Sequence, residues 1–194
     1  MIGTLLGQIR QCQVCSKHLE LGANPVVQAS KGAKLLIIGQ APGLKVHQSS
    51  IPWNDPSGDR LRRWLNLDKQ DFYDSSKIAI VPMGFCYPGR GKSGDLPPRP
   101  ECAPLWHQAL LEQMPDIGMT LLIGQYAQNY YLADRKRTLT ETVKNWTEWA
   151  PNQIPMPHPS PRNALWLKKN PWFEEQIVPY IRKYVHDHLK LKSS

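Results

Sequence analysis

Short runs of consecutive apolar residues alternate along this chain with segments in which apolar residues recur at helical spacing. The apolar runs are Leu35–Ile38, 78–81, 120–123 and 154–156. Each run is short and almost continuously hydrophobic, without the alternation of a strand that has one wet face, and this is typical of strands buried on both faces of a parallel sheet. The pattern therefore predicts four buried strands.

Segments with helical spacing lie between and after these strands. The pattern predicts helices at 59–67, 105–114 and 126–132, and a helical tail over 170–191 with a basic outer side. Strands that alternate with helices are joined by right-handed crossovers, which make the sheet parallel and cover both its faces. We therefore predict an α/β fold, a three-layer sandwich with a central, mostly parallel four-stranded sheet flanked by helices, formed by a single domain over 1–194.

In such a sheet the functional site lies beyond the carboxyl ends of the strands. The segments that follow the four predicted strands are 39–43, the Gly/Pro-rich loop 82–94, Gly124-Gln125 and 158–163. Because the carboxyl ends of parallel strands meet at one edge of the sheet, we expect these segments to converge.

Charge narrows the class of partner. Lys and Arg total 24 against 16 acidic residues, which gives a formal net charge of +8 and a pI near 9.4, so a polyanion is the favoured partner. The alternative is an ordinary solvated basic surface, since no run of five like charges occurs. The N-terminus lacks the apolar core of a signal peptide and no stretch is apolar enough to span a membrane. We expect a monomeric protein without membrane contact, cytoplasmic and associated with the nucleoid.

The four cysteines form a second pattern. Cys12 and Cys15 are a C-x2-C pair, and Cys86 and Cys102 stand at the two ends of a Pro/Gly-rich segment. In a reducing compartment such cysteines are metal ligands or buried thiols rather than disulfides. Four thiolates suit both zinc and iron-sulfur groups, and His18 is an alternative ligand for zinc.

Two motifs carry a resemblance to a known family. The first motif is GQAPG at 39–43, directly after a buried strand, and the second motif is HPSPRN at 158–163. They lie more than a hundred residues apart, with Ile51-Pro52-Trp53 between them. This combination, over roughly residues 12–185, resembles the uracil-DNA glycosylase superfamily, whose members flip a damaged base out of DNA and hydrolyse its N-glycosidic bond.

The cysteine pattern resembles the family 4 enzymes of that superfamily. The resemblance implies a [4Fe-4S] cluster on Cys12, Cys15, Cys86 and Cys102, with zinc or no metal as the alternatives. The second motif is more similar to that of the single-strand-selective monofunctional glycosylases. The sequence is therefore identified as a divergent member of the superfamily.

The resemblance also implies roles for individual residues. His158 donates a hydrogen bond to a carbonyl oxygen of the leaving base, and Trp53 stacks on the flipped base. Gln40 stands where family 4 enzymes carry a glutamate, so a catalytic carboxylate is missing there. We predict that Gln40 is nevertheless catalytic, either orienting water with its amide or bonding the base through its backbone. His47, seven residues on, is the predicted substitute that positions or deprotonates the water, and Asp55 is a weaker alternative.

One position departs from the family pattern. Family 4 enzymes read uracil with an asparagine four residues before the third cysteine, and this chain has Pro82 there. Proline offers neither a side-chain amide nor a backbone N–H. Either the substrate is another deaminated base, or backbone groups around Met83 and Gly84 read the base, or the activity is lost.

The remaining predictions concern the substrate. DNA and base contacts are expected from both motifs and from basic side chains, with Ser160 on a phosphate. Leu165 or Trp166 is predicted to fill the gap left by the flipped base, and the alternative for both is packing in the helix core. The sequence thus favours a monofunctional DNA glycosylase over a non-catalytic nucleic-acid-binding member of the same fold. The predicted substrate-binding and basic residues are Gly39, Ala41, Pro42, Gly43, Trp53, Met83, Gly84, Ser160, Arg162 and Asn163, with Arg60, Lys168 and Lys169 outside the motifs.

Overall fold

The computed structural model describes residues 1–191, so the last three residues of the predicted 1–194 domain lie outside the described residues. The strands are β1 Leu35–Ile38, β2 Ile78–Ile80, β3 Arg90–Gly91, β4 Gly94–Asp95, β5 Met119–Ile123 and β6 Gln153–Met156. The helices are α1 Ile2–Arg10, α2 Leu44–Ser49, α3 Pro56–Leu65, α4 Lys69–Phe72, α5 Cys102–Leu111, α6 Gln125–Tyr131, α7 Leu139–Lys144, α8 Ala164–Lys169 and α9 Val178–His188.

Four of the strands form the central sheet. Their order is β2-β1-β5-β6 and every pairing is parallel. Leu35 is in register with Ile78 on one side and with Met119 on the other. The predicted α/β class with a four-stranded parallel sheet is confirmed, and β3 and β4 form a separate small antiparallel hairpin.

The two faces of the sheet are covered by different helices. Along β1, Leu35 and Ile37 belong to the core cluster that also contains residues of α3 and α9. Leu36 and Ile38 belong to the second cluster, which contains residues of α1, α5 and α6. Because successive strand residues point to opposite faces, the continuous apolar runs fill both cores and produce the three layers.

Helices α3 and α5 each begin three residues before their predicted starts. Helix α3 begins at Pro56, three residues before the predicted start, because the Asp55 side chain accepts a hydrogen bond from the Gly58 amide (2.8 Å). It ends where Asn66 turns into the left-handed region at φ 54°. Helix α5 begins at Cys102, since Pro104 is tolerated in a first turn that needs no N–H there.

The predicted C-terminal helix is shorter than the pattern indicated. A π-helical turn at Phe173–Ile177 leads into α9. Arg182 on α9 donates to the backbone oxygens of Trp64 and Arg63 and so fastens α9 to the end of α3. Within the described residues, no helix is both long and apolar enough to cross a membrane.

Candidate active site

A cavity of about 390 Å³ opens at the carboxyl ends of β1, β2 and β6. Residues of both motifs line it, because both motifs follow strands of one parallel sheet and so lie at the same edge of that sheet. The loop after β5, Gly124-Gln125, is not part of its lining. The predicted site residues that line the cavity are Gly39, Gln40, Ala41, Pro42, Gly43, Trp53, His158, Ser160, Arg162 and Asn163.

His158, directly beyond β6, is held in one tautomer. Its Nδ1 accepts the backbone N–H of Ser160 (3.1 Å), so the neutral ring carries its proton on Nε2. Burial lowers the pKa of His158, and the nearby Asp55 opposes this only in part. Asn163 donates from Nδ2 to the His158 carbonyl (2.8 Å) and fixes the loop. The cavity therefore contains a neutral imidazole with one N–H to donate.

Trp53 packs beside this imidazole, with 5.5 Å between the two ring centroids. Its backbone is in the left-handed region at φ 56°. Two glycines make room for it: a Cβ on Gly39 would lie 2.8 Å from Cζ2 of the indole, and one on Gly58 would lie 1.7 Å from the Trp53 carbonyl oxygen. Arg62 donates to that same oxygen. The first motif and α3 thus fix the position of the aromatic wall.

The backbone amides of the segment that follows β2 form hydrogen bonds within the protein. The amides of Met83 and Gly84 donate to the carbonyl oxygens of Gly39 and Gln40 (2.9 and 3.0 Å), and neither residue lines the cavity. Pro82 does line it. Its carbonyl oxygen accepts a hydrogen bond from Nε2 of His107 on α5 (3.0 Å). The two amides join β2 to the first motif, which leaves them engaged rather than available to a base.

His47 and Asp55, the two candidates for positioning or deprotonating the attacking water, lie in different places. His47, on α2, is absent from the cavity lining and packs near Tyr87, with 6.0 Å between ring centroids. Its Nδ1 is buried without a hydrogen-bond partner among the described residues. Asp55 lines the cavity, and one of its carboxylate oxygens, Oδ1, is the cap of α3.

The hairpin formed by β3 and β4 supplies a further wall, of which sequence reasoning missed Asp95 and Leu96. Ser93, Gly94, Asp95 and Leu96 line the cavity, and Arg162 of the second motif donates from Nη1 to the Ser93 carbonyl (3.2 Å). The sequence placed the Gly/Pro-rich loop 82–94 at the site. Asp95 lies one residue beyond that loop, and only the hairpin pairing shows that it faces the cavity.

A second, more open groove lies between α3 and α8. Its charged lining residues are Arg60, Arg63 and Lys168 together with Glu174 and Glu175. Arg60 also donates to the Ser160 carbonyl (3.0 Å). On α8, the Leu165 side chain is 63% exposed. Trp166 instead packs edge-on against Trp172 and Phe173. Of the two candidate wedge residues, Leu165 is therefore the one available to DNA.

The four cysteines come together away from the cavity, where they line a smaller one as free thiols. The Phe85 amide donates to Sγ of Cys102 (3.3 Å). Burial raises the pKa of Cys86 to about 11 and that of Cys102 to about 12. A metal would have to displace these protons to bind.

Whether these residues fit a metal group is decided by their chemistry and surroundings. Among residues 1–191 no three His, Cys, Asp or Glu side chains are placed to hold one metal ion, so the ligand set stays a prediction. The donor set itself is four thiols around one cavity. Trp106 lines the same cavity, and its Nε1–H is buried without a partner among those residues. An indole N–H suits a bound sulfur, so the residues fit a sulfur-rich group.

Comparison with known protein families places most of the chain in a described family. The family model described as the uracil DNA glycosylase superfamily matches residues 27–182, which is most of the chain. The matched region contains both motifs, Trp53 and the hairpin. It also contains Cys86 and Cys102, whereas Cys12 and Cys15 precede it.

Proposed function

This chain belongs to the uracil DNA glycosylase superfamily, and we propose that it hydrolyses the N-glycosidic bond of uracil or another deaminated base in DNA. The observation that supports this most strongly is the neutral His158, which has its free N–H in a cavity beside Trp53. Membership of the iron-sulfur family 4 type is a further part of the proposal.

The reaction needs the base outside the duplex, because the glycosidic bond is inaccessible within the stack. The flipped base enters the cavity against the Trp53 ring. As the C1′–N bond lengthens, the sugar gains oxocarbenium character and the leaving base gains negative charge. His158 stabilises that charge by donating from Nε2 to a carbonyl oxygen of the base. A ring fixed in this tautomer donates without any prior proton transfer.

A water must then attack C1′. We assign its positioning to Gln40 and Asp55 rather than to His47, because only the first two line the cavity. Gln40 offers an amide that orients the water. Asp55 offers a carboxylate that accepts a proton from it, while Oδ1 holds the N-terminus of α3.

DNA is held around the cavity rather than inside it. Ser160 and Arg162 line the cavity, and the groove between α3 and α8 adds Arg63 and Lys168. Cationic side chains neutralise phosphates without reading sequence. Leu165, exposed beside the second motif, fills the space that the flipped base leaves in the stack.

The four thiols bind a [4Fe-4S] cluster in this proposal, with zinc as the alternative. Such a group, when bound, cross-links the segment after α1 to the start of α5. The buried Trp106 N–H supports a sulfur-rich occupant, because hydrogen bonds to sulfur are a common part of such sites. Anaerobic purification followed by absorption spectroscopy and iron, sulfide and zinc analysis distinguishes the cluster from zinc and from free thiols.

The test of activity uses labelled oligonucleotides that contain uracil, hypoxanthine or xanthine, with alkali to reveal abasic sites. We expect cleavage of at least one substrate, and His158→Ala should lower kcat/KM by about 10²–10³ or more, as for removal of one oxyanion donor. The matched control is His186→Ala, since the His186 side chain is 85% exposed on α9.

The second candidate is a nucleic-acid-binding protein without glycosylase activity. Pro82 favours it, because the asparagine that reads uracil in family 4 enzymes is missing there. Under this alternative the wild-type chain binds DNA in a salt-sensitive manner and releases no base from any of the three substrates.

A further inference from the structure

The hairpin of β3 and β4 carries one carboxylate to the base cavity. Asp95, on β4, lines the cavity, and its Oδ2 lies 3.5 Å from the position that a Cβ on Gly43 would occupy. The first motif and the hairpin therefore meet at this point of the cavity wall. The absence of a side chain on Gly43 leaves the carboxylate access to whatever fills the space.

The hairpin is held in place from two sides. Within it, the Leu96 amide donates to the Gly89 carbonyl (2.9 Å). From the second motif, Arg162 donates to the Ser93 carbonyl, and a Cβ on Gly94 would lie 2.7 Å from that Nη1. Asp95 is thus on a positioned element and not on a free loop.

Asp95 is exposed and belongs to none of the ion pairs among the described residues, although Arg90 is its cross-strand neighbour in the hairpin. An ionised carboxylate only accepts hydrogen bonds. A base edge that presents an acceptor to it is repelled, and an edge that presents an N–H or O–H is bound. The carboxylate can therefore distinguish bases by the donors on their edges.

We propose that Asp95 determines which bases enter the cavity, by accepting a hydrogen bond from an N–H or O–H donor on the base edge. This rests on the proposed function and deepens it. Deamination supplies such a donor at one ring nitrogen, which is an acceptor in cytosine and in adenine and carries a proton in uracil and in hypoxanthine. The neighbouring amino group becomes a carbonyl at the same time, so the discrimination requires that the carboxylate face the ring nitrogen. Asp95 thereby takes over the recognition that the residue at position 82 cannot provide.

The experiment measures binding, which separates it from the test of catalysis. Oligonucleotides with an uncleavable 2′-fluoro nucleotide carry matched pairs of bases: uracil and cytosine, hypoxanthine and adenine, and 5-hydroxymethyluracil and thymine. The first two pairs test a ring N–H, and the third tests a hydroxyl donor. For the wild-type chain, the Kd ratio within at least one pair should favour the base with the added donor.

Asp95→Ala and Asp95→Asn should each reduce that ratio by about ten- to a hundredfold, the range for one hydrogen bond to a charged group. Asp95→Asn preserves size, so a changed ratio there does not reflect misfolding. The control is Lys92→Ala, which lies on the same hairpin outside the cavity lining and should leave the ratio unchanged.

An unchanged ratio in both Asp95 variants overturns the inference. The same conclusion follows if the variants weaken binding of all six bases equally, or if they slow cleavage of every substrate equally without altering the ratio. Failure of the proposed function looks different: the wild-type chain then discriminates between the paired bases but releases none from ordinary 2′-deoxy substrates.

Discussion

At the scale of single residues, the protonation of His158 has a consequence for pH dependence. The ring has its proton on Nε2 while Nδ1 accepts from Ser160, so the proposed mechanism uses the neutral form. Protonation would break the Ser160 hydrogen bond, and burial already holds the pKa of His158 below its ordinary value.

We therefore expect kcat/KM to show no decrease from this residue at neutral or higher pH. Activity should fall only as the solution becomes more acidic than the ordinary histidine pKa of about 6.5. A pH profile of single-turnover cleavage checks this. Activity that increases on acidification through that region would mean that the imidazolium is the active form.

His107 makes a prediction about stability. It is 1% exposed, its Nε2 donates to the Pro82 carbonyl and its Nδ1 accepts from the Tyr131 hydroxyl. Burial lowers its pKa to about 4. Because the unfolded chain binds this proton near pH 6.5, its contribution to stability is present above that pH and is lost as pH falls towards 4.

The expected decrease over that interval is roughly 3 kcal/mol in the free energy of unfolding. Urea titrations at about pH 7 and about pH 4.5 measure it. His107→Phe keeps the stacking on Phe85 but should be less stable at neutral pH and show a smaller difference between the two conditions. An equal difference in both chains would assign the acid sensitivity to other groups.

The sequence predicted the site residues that belong to a motif. It missed the residues whose position depends on contacts between segments that are distant in the chain. His158 and Trp53 were placed by their positions in or between the motifs, and both line the cavity. His47 was chosen by spacing from Gln40, but the short helix α2 directs it towards Tyr87. Asp95 and His107 carry no local signal, because the groups that they face lie far away in the chain.

At the scale of elements, the residue that caps helix α3 is also a proposed catalytic residue. Asp55 caps the helix and lines the cavity. Its two roles are separable, because asparagine also caps a helix N-terminus but carries no charge.

Asp55→Ala should lower the free energy of unfolding by about 0.5–2 kcal/mol, while Asp55→Asn should change it by less. Both should lose activity if the carboxylate accepts the proton of the attacking water. Asp68→Ala is the control, since Asp68 caps α4 in the same way. Full activity in Asp55→Asn would exclude a proton-accepting role for Asp55.

The four strands of the central sheet were predicted to within a residue at each end, whereas several helices and the strands of the hairpin were missed. A parallel strand buried on both faces has an apolar run that few other structures share. Helix α2 is too short for its periodicity to be distinctive, and the β3–β4 hairpin has only two residues in each strand. The hairpin is short, so it has no distinctive sequence pattern, and it forms one wall of the cavity.

At the scale of the whole molecule, the charge of +8 predicts salt-sensitive DNA binding. Each neutralised phosphate lowers log K by about 0.9 for each unit of log salt concentration on duplex DNA. Arg63→Ala with Lys168→Ala should reduce the slope by about 1 for each phosphate that is no longer neutralised, with little change in base preference.

Lys31→Ala is the control for the loss of a single charge away from the groove, because Lys31 precedes β1 and so lies at the opposite edge of the sheet. Fluorescence anisotropy between about 50 and 200 mM salt, the range in which affinity falls steeply, gives the slopes. Equal slopes for the double variant and the control would place the DNA elsewhere than on the groove between α3 and α8.

The wholly parallel sheet also decides when, during folding, the cavity comes into existence. One wall of the cavity is formed by segments that are distant in sequence. His158 must pack against Trp53, which lies more than a hundred residues earlier in the chain. Contacts of such long range are slow to form. The cavity is therefore complete only in a polypeptide that extends past the second motif, and under the proposed function base recognition is the last property that a growing chain acquires.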